Sequence, residues 1–409
     1  MTFLEIIFNL NLLAKTDKRY LNCWILINFK FEMKNFLLSL IILCFLCLQS
    51  CSGLSFQQDI KVNPSKTGFA KKVDSIVANI MNNYNIPGLA IGLVMNDSVI
   101  YAKGYGLKSI KKPEPVSEHS NFHTASISKL FTAQAVVMIL AENDISLDEK
   151  LVTILPELRY KDIRVEDISI KDLLNHTSGL PDVSNYHWRN NNQSKSSLKD
   201  YVLNLKLKLD SQPGTNYNYS SLAYNILGYL VEKLSKTSFE DYVKTNILNT
   251  NEMYNSDFRY FKIPDTIKTA PHSKRLLTKN VYVRKNYPYT REHAPSSTLN
   301  SSAEDLSKWM ISFLKIIENK KPYPNFSIMI EPSVSSYPYM GLGFQLSKID
   351  SKATIGHYGG DKGYRSYLLM IPEEKIGLVL LANCEYDEDF RQEITHPIAK
   401  LMLKTKKSK

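Results

Sequence analysis

Ser126-Ile127-Ser128-Lys129-Leu130-Phe131-Thr132-Ala133 sets a serine three residues ahead of a lysine, at the head of an apolar helical run that continues to Ala141. One helical turn brings Ser126 Oγ and Lys129 Nζ to the same face. A serine hydroxyl is a weak nucleophile until a base takes its proton, and a desolvated lysine can be that base. The spacing alone is a weak signal, because it recurs at Ser109/Lys112, Ser196/Lys199 and Ser312/Lys315. Ser126 stands apart through its place at the head of the apolar run and through two later segments, Tyr219-Ser220-Ser221 and His357-Tyr358-Gly359.

Working outward, Phe69 to Tyr84 carries Val73, Ile76, Val77 and Ile80 at helical spacing, and Pro87-Gly88 ends it. Leu89–Met95 and Ser98–Tyr105 flank Asn96-Asp97 and read as a hairpin. From about Leu147 to Trp309 the chain is mostly helical patches and long loops. Helices are expected at Ile170–Leu174, Ser221–Leu234, Phe239–Ile247 and Ala303–Ile317, with an exposed polar loop at Asn185–Lys199. Three short apolar runs follow, Gly343–Leu346, Tyr364–Met370 and Ile376–Leu381. A closing helix is expected at Asp387–Leu403, kinked or broken near Pro397. The fold class is therefore α/β of the α+β type: an antiparallel sheet drawn from both chain ends, flanked by helices, with a mostly helical subdomain inserted at about 147–309.

The chain has 409 residues, 24 Tyr and 17 Phe, enough for a large packed interior, and a formal charge of +11. Part of that charge lies after Lys400 and part between Lys274 and Arg291, interleaved with Tyr. No nucleic-acid module accompanies either patch, so they read as solvated surface and no nucleic-acid partner is expected. Lys34, the apolar run Phe36–Leu48 and the ending Leu48-Gln49-Ser50-Cys51 read as an export signal of lipoprotein type, with Cys51 as the lipidated residue. On that reading translation starts at Met33, residues 1–50 are an upstream extension plus signal peptide, 51–65 a tether, and 66–409 one domain held to a bacterial envelope through a lipid anchor. Cys384 is then the one cysteine within the domain, a buried small hydrophobe with no disulfide framework around it. No metal site is expected, because no His-Glu-x-x-His is present and the cysteines do not cluster. Neither a glycine-rich nucleotide loop nor a Gly-x-Ser-x-Gly elbow occurs, and no organic cofactor is implied. Oligomeric state is not read from the sequence.

Seven pieces in order resemble the β-lactamase-related serine hydrolases, which include class C β-lactamases, penicillin-binding proteins and related esterases. They are Pro87–Ala90, Gly104–Gly106, Phe122–Ala133, Leu173–Pro181, Pro213–Ser220, Leu299–Trp309 and Gly356–Gly360. The resemblance implies an acyl-enzyme on a small-molecule or peptide substrate: a β-lactam, a D-amino-acid peptide or a carboxylic ester. It makes Ser126 the nucleophile and Lys129 its base or electrostatic partner. Tyr219 becomes a second base, its phenolate favoured by the nearby ammonium. The backbone N–H groups of Ser126 and Gly360 become the oxyanion donors, and Gly359 and Gly360 let the strand approach the substrate. Two positions depart from the pattern. Ser221 stands where many relatives carry Asn, and His357 stands where β-lactamases carry Lys, so a positive charge there depends on an imidazole of ordinary pKa about 6.5. The His176-Thr177-Ser178-Gly179-Leu180 segment is implied to be a structural turn. The competing reading is an envelope protein that keeps this fold to bind or sense penicillins or peptidoglycan peptides with little or no turnover.

Overall fold

The computed structural model describes residues 67–275, 280–319, 324–386 and 389–407. The signal, tether and Cys51 lie outside them. The first helix, α1 (Thr67–Tyr84), leads into strands β1 (Gly88–Met95) and β2 (Ser98–Gly106). Asn96 and Asp97 both take positive φ, +48° and +61°, as a two-residue hairpin turn requires. The chain then runs through two helices central to the site, α2 (Ser128–Glu142) and α3 (Ser221–Ser235), and returns through α4 (Ala303–Asn319). Strands β3 (Gln345–Ile349), β4 (Lys352–Asp361), β5 (Tyr364–Ile371) and β6 (Ile376–Ala382) follow, and α5 (Arg391–Lys407) closes the chain.

The main sheet has the order β2-β1-β6-β5-β4-β3, antiparallel throughout. The two chain ends meet at β1 and β6, where Leu89 pairs with Ala382 and Met95 with Ile376. Every residue of β1 and β6 is buried. The alternation of side chains explains why: Leu89, Ile91 and Leu93 face α1 and α5, whereas Ala90 and Val94 join the core on the α4 face. A strand covered on both faces reads as a continuous apolar run, as Leu89–Met95 does. Gly92 is the contact point with α4, since a Cβ there would lie 2.7 Å from Ala303 O.

Four expectations need correction. Among the described residues four strands of the main sheet, not three, lie between α4 and the last helix; β4 begins Lys-Ala-Thr and ends Gly-Gly-Asp, so no apolar run announces it. The strand expected at Gly343–Leu346 instead spans Gln345–Ile349, because Gly343 turns with φ +82°. The closing helix spans Arg391–Lys407 and continues through Pro397, so the break, one of the two alternatives there, is absent, at the cost of one backbone donor. The polar loop at 185–199 also gives way to a helix, Ser197–Asn204, before its expected end.

Helix α2 is buried on nearly all sides because it passes through the middle of the domain. Its apolar run serves the core and not a surface. Helix α3 lies against it and against the short helix Ala294–Ser297, where a Cβ on Gly228 would come within 2.0 Å of Pro295 Cγ. Arg291 ties this region together, its guanidinium bonded to the buried Glu240 at 2.8 Å and to the partly buried Glu232.

Candidate active site

Ser126 sits in a single 3-10 turn, Ala125–Ile127, that feeds directly into α2. Ala125 takes φ +50°, a left-handed conformation unfavourable for a residue with a Cβ, and so turns the serine out of the path of the chain. The turn is clamped from outside. Thr124 N–H donates to Leu299 O at 2.8 Å, and Leu299 N–H donates to Ser128 Oγ at 2.9 Å.

Lys129, one helical turn on, is completely buried, and its Nζ donates to Ser126 Oγ at 3.1 Å and to Ser296 O at 2.8 Å. No carboxylate pairs with it directly among the described residues. Burial therefore dominates and pulls its pKa down to about 8, against the more distant pull of Asp182 and Asp361. The third member comes from the N-terminal side of α3: Tyr219 OH donates to Ser126 Oγ at 2.9 Å. Its ring lies 5.0 Å from Lys129 Nζ and 4.5 Å from the His176 ring.

The phenolate expected at Tyr219 is not what this setting favours. Burial raises the phenol's pKa, Asp182 and Asp361 add to that, and hydrogen bonding with Ser126 and Ser221 only partly offsets it. Tyr219 is a neutral proton donor held on the serine. His176 is the structural piece implied by the resemblance: buried, at φ +63°, its Nδ1 accepting from Ser220 N–H at 3.1 Å.

His357 lies on β4, buried, with its ring 6.2 Å from that of Tyr219. The ordinary imidazole pKa of about 6.5 does not hold there. Burial first, then the Lys129 charge, lowers its pKa to about 3, so the imidazole is neutral. Nδ1 faces its neighbour's carbonyl, Tyr358 O, and Nε2 is a buried ring nitrogen without a partner among the described residues.

Two residues further on, Gly359 presses against the serine turn. A Cβ there would lie 2.3 Å from Thr124 O, 2.1 Å from Ser366 Oγ and 3.3 Å from Ser126 N. Gly360 follows, opposite Arg365 on β5. Ser221 is buried at the start of α3, its N–H donating to Asp182 Oδ1 at 2.7 Å. Ser126, Lys129, Tyr219, Ser221, His357 and Gly359 thus converge on one place from α2, α3 and β4.

Asp182 and Asp361 were not singled out by motif, yet both act on this site through space. Asp361 is held by His123 Nε2 at 2.8 Å and by Ser297 Oγ. The only sequence signal for either is adjacency, Asp182 after Pro181 and Asp361 after Gly360. Cys384 is buried and unpaired, its thiol pKa raised by burial, far from nucleophile chemistry. Among the described residues no group of side chains is arranged to hold a metal ion.

The sequence profile of the family described as Beta-lactamase matches residues 73–402. The chain belongs to the Beta-lactamase family. Protein flp of Staphylococcus aureus (strain MW2) is 25% identical over 327 residues, which are 76% of this chain and 63% of that protein. Penicillin-binding protein 4* of Bacillus subtilis (strain 168) is 26% identical over 317 residues, 72% of this chain and 68% of its own. The chain thus spans less than two thirds of the length of the first of these relatives. Among solved structures, an octameric penicillin-binding protein homologue from Pyrococcus abyssi superposes with TM-score 0.71 at 23% identity, over 81% of this chain and 77% of that one. A class C beta-lactamase superposes with TM-score 0.68 at 20% identity, over 81% and 96%. Both share the mixed fold of helices on an antiparallel sheet. Membership in the Beta-lactamase family supports acyl-enzyme chemistry on a serine in general, and the family acts on small-molecule or peptide substrates.

Proposed function

We propose that this protein is a serine hydrolase that cleaves an amide or ester through an acyl-enzyme on Ser126. The observation that carries the reading is the pair of hydrogen bonds on Ser126 Oγ from a fully buried Lys129 Nζ and from Tyr219 OH. A lysine of pKa about 8 carries the free amine in about a tenth of molecules at pH 7, against about three in ten thousand for an ordinary lysine. That free amine takes the Ser126 proton as Oγ attacks the substrate carbonyl. The bond to the leaving group breaks as a proton passes to it from the Lys129–Tyr219 pair. Water then cleaves the acyl-serine ester and restores Ser126. The dipole at the head of α2 favours negative charge there by about 0.3–1 kcal/mol. By the family resemblance, the backbone N–H groups of Ser126 and Gly360 take the role of oxyanion donors. On the leader reading of residues 33–51, we place this activity at a bacterial envelope.

Two relatives are described as penicillin-binding, so a penicillin is the natural first acylating probe. Intact-mass spectrometry of residues 66–409 with a penicillin and, separately, a p-nitrophenyl ester tests the reading. The expected result is a mass gain on the peptide holding Ser126, absent in Ser126→Ala. A lasting penicillin adduct marks slow deacylation, and drug consumption with little adduct marks a β-lactamase. No adduct with either reagent and no turnover, or labelling that persists in Ser126→Ala, overturns the proposal.

A further inference from the structure

Beyond Gly360, on the side of the serine away from His357, the surface opens into a cleft of about 450 Å³. One wall is the loop at 183–188, where the rings of Tyr186 and Trp188 stack at 4.9 Å. The other is the turn between β4 and β5 with Lys362 and Arg365. Four charged groups line it, and their partners decide its sign. The Asp361 carboxylate is turned inward to His123 and Ser297, and is only 9% exposed. Glu385 is neutralised by Arg284, whose Nη1 lies 2.6 Å from its Oε1. Lys362 Nζ stands 4.0 Å from the other Glu385 oxygen and is more than half exposed. Arg365 makes no ion pair among the described residues; its Nη1 and Nη2 reach only backbone carbonyls, Tyr364 O at 3.2 Å and Tyr386 O at 3.3 Å. A guanidinium has five N–H donors, so most of its capacity is unused. It lies across Gly360: a Cβ at that position would come within 3.1 Å of Arg365 Nη1. The glycine leaves room for a cation at the mouth of the site.

Direction along the strand follows from the proton donor. Tyr219 lies on the His357 side, so a leaving group that takes its proton lies there too. The acyl half of the substrate then extends over Gly360 toward Arg365. We propose that this cleft is an acyl-side subsite for a carboxylate, read by Arg365 with Lys362 beside it, so that the preferred substrates are amides or esters with an anionic acyl group. This rests on the serine hydrolase reading above.

The test uses two esters with the same leaving group and acyl chain length, mono-p-nitrophenyl glutarate and p-nitrophenyl pentanoate. The wild-type protein is expected to favour the glutarate in kcat/KM by about tenfold or more, as a charge-assisted contact allows. Arg365→Gln is expected to lower that ratio by about tenfold or more, Lys362→Gln by less, and Arg365→Lys to retain part of it. Thermal melts check that each variant is folded. A wild-type ratio near one, or a ratio untouched by Arg365→Gln, overturns the subsite and leaves the serine hydrolase reading standing. Failure of both esters and of penicillin to acylate Ser126 overturns both.

Discussion

Lys129 and Tyr219 compete for the role of base, and their surroundings separate them. Burial works against the charged form of each: it drives Lys129 toward the free amine and Tyr219 toward the phenol. The free amine is the base, so acylation is expected to rise with pH and level off above about 8. His357, with its pKa near 3, should add no inflection between pH 5 and 7. Stopped-flow acylation across pH 5 to 10 checks this, and a rise confined to pH above 10 would make phenolate the base instead. Lys129→Met should lower acylation by about 10²–10⁴-fold, the usual worth of a positioned general base. Its melting temperature should match or exceed the wild type, because a buried ammonium shifted to a pKa of about 8 costs about 3 kcal/mol. A Met variant that melts far lower would show that Lys129 is structural. Ser126 and the two groups that donate to it, Lys129 and Tyr219, were legible in the sequence because each sits in a short motif. Asp182 and Asp361 were not, since a carboxylate acting through space carries no spacing of its own. The sign of the Tyr219 shift was misread for a related reason. Sequence places a phenol near an ammonium but cannot weigh that attraction against burial.

Strand β4 is the element that finishes the site, and it is the one the sequence concealed. Its core-facing positions hold Ile355 and His357, and three of its ten residues are glycine, so no apolar run marks it even though Thr354 and Tyr358 suit a strand. What holds it is pairing on both edges, with β3 through Gln345–Ile349 and with β5 through Tyr364–Met370. By contrast β1, β5 and β6, deeper in the sheet, were legible because two buried faces demand a largely apolar run. The glycines of β4 allow contact with the serine turn. A Cβ on Gly359 would overlap backbone at Thr124 O, 2.3 Å away, and a carbonyl anchored in a turn cannot move aside like the end of a flexible side chain. Gly359→Ala is therefore expected to push β4 away from Ser126, cutting acylation about 100-fold or more. Overpacking of this kind costs about 1–3 kcal/mol, enough to lower the melting temperature by several degrees. Wild-type acylation in a folded Gly359→Ala protein would mean that the strand does not set the geometry of the serine.

At the scale of the molecule, two apolar cores meet at the sheet, and the larger one encloses histidines as well as hydrocarbon. His176, His293 and His357 are each nearly or fully buried, and desolvation holds all three well below the ordinary imidazole pKa, His293 and His357 at about 3. None has a carboxylate bonded to it among the described residues; their partners are the Ser220 N–H, the Asn225 amide and the Tyr358 carbonyl. The unfolded chain protonates these rings near pH 6.5, whereas the folded chain resists down to about pH 3. Between those values the unfolded state binds more protons, so stability is fully present above about 6.5 and is lost as pH falls. Each such histidine removes about 1.4 kcal/mol per pH unit inside the window, which is about 2 kcal/mol apiece by pH 5. Carboxylates with depressed pKa values, such as Asp162, act in the same direction but only below about pH 4, whereas Glu240, Glu292 and Asp305, whose pKa values burial raises, oppose the histidines. The urea midpoint is therefore expected to drop sharply between pH 7 and pH 5, and His293→Gln to recover about 2 kcal/mol of that drop. An equal midpoint at the two pH values would mean that the buried imidazoles take up protons without unfolding the chain, which a neutral His357 beside the serine does not permit.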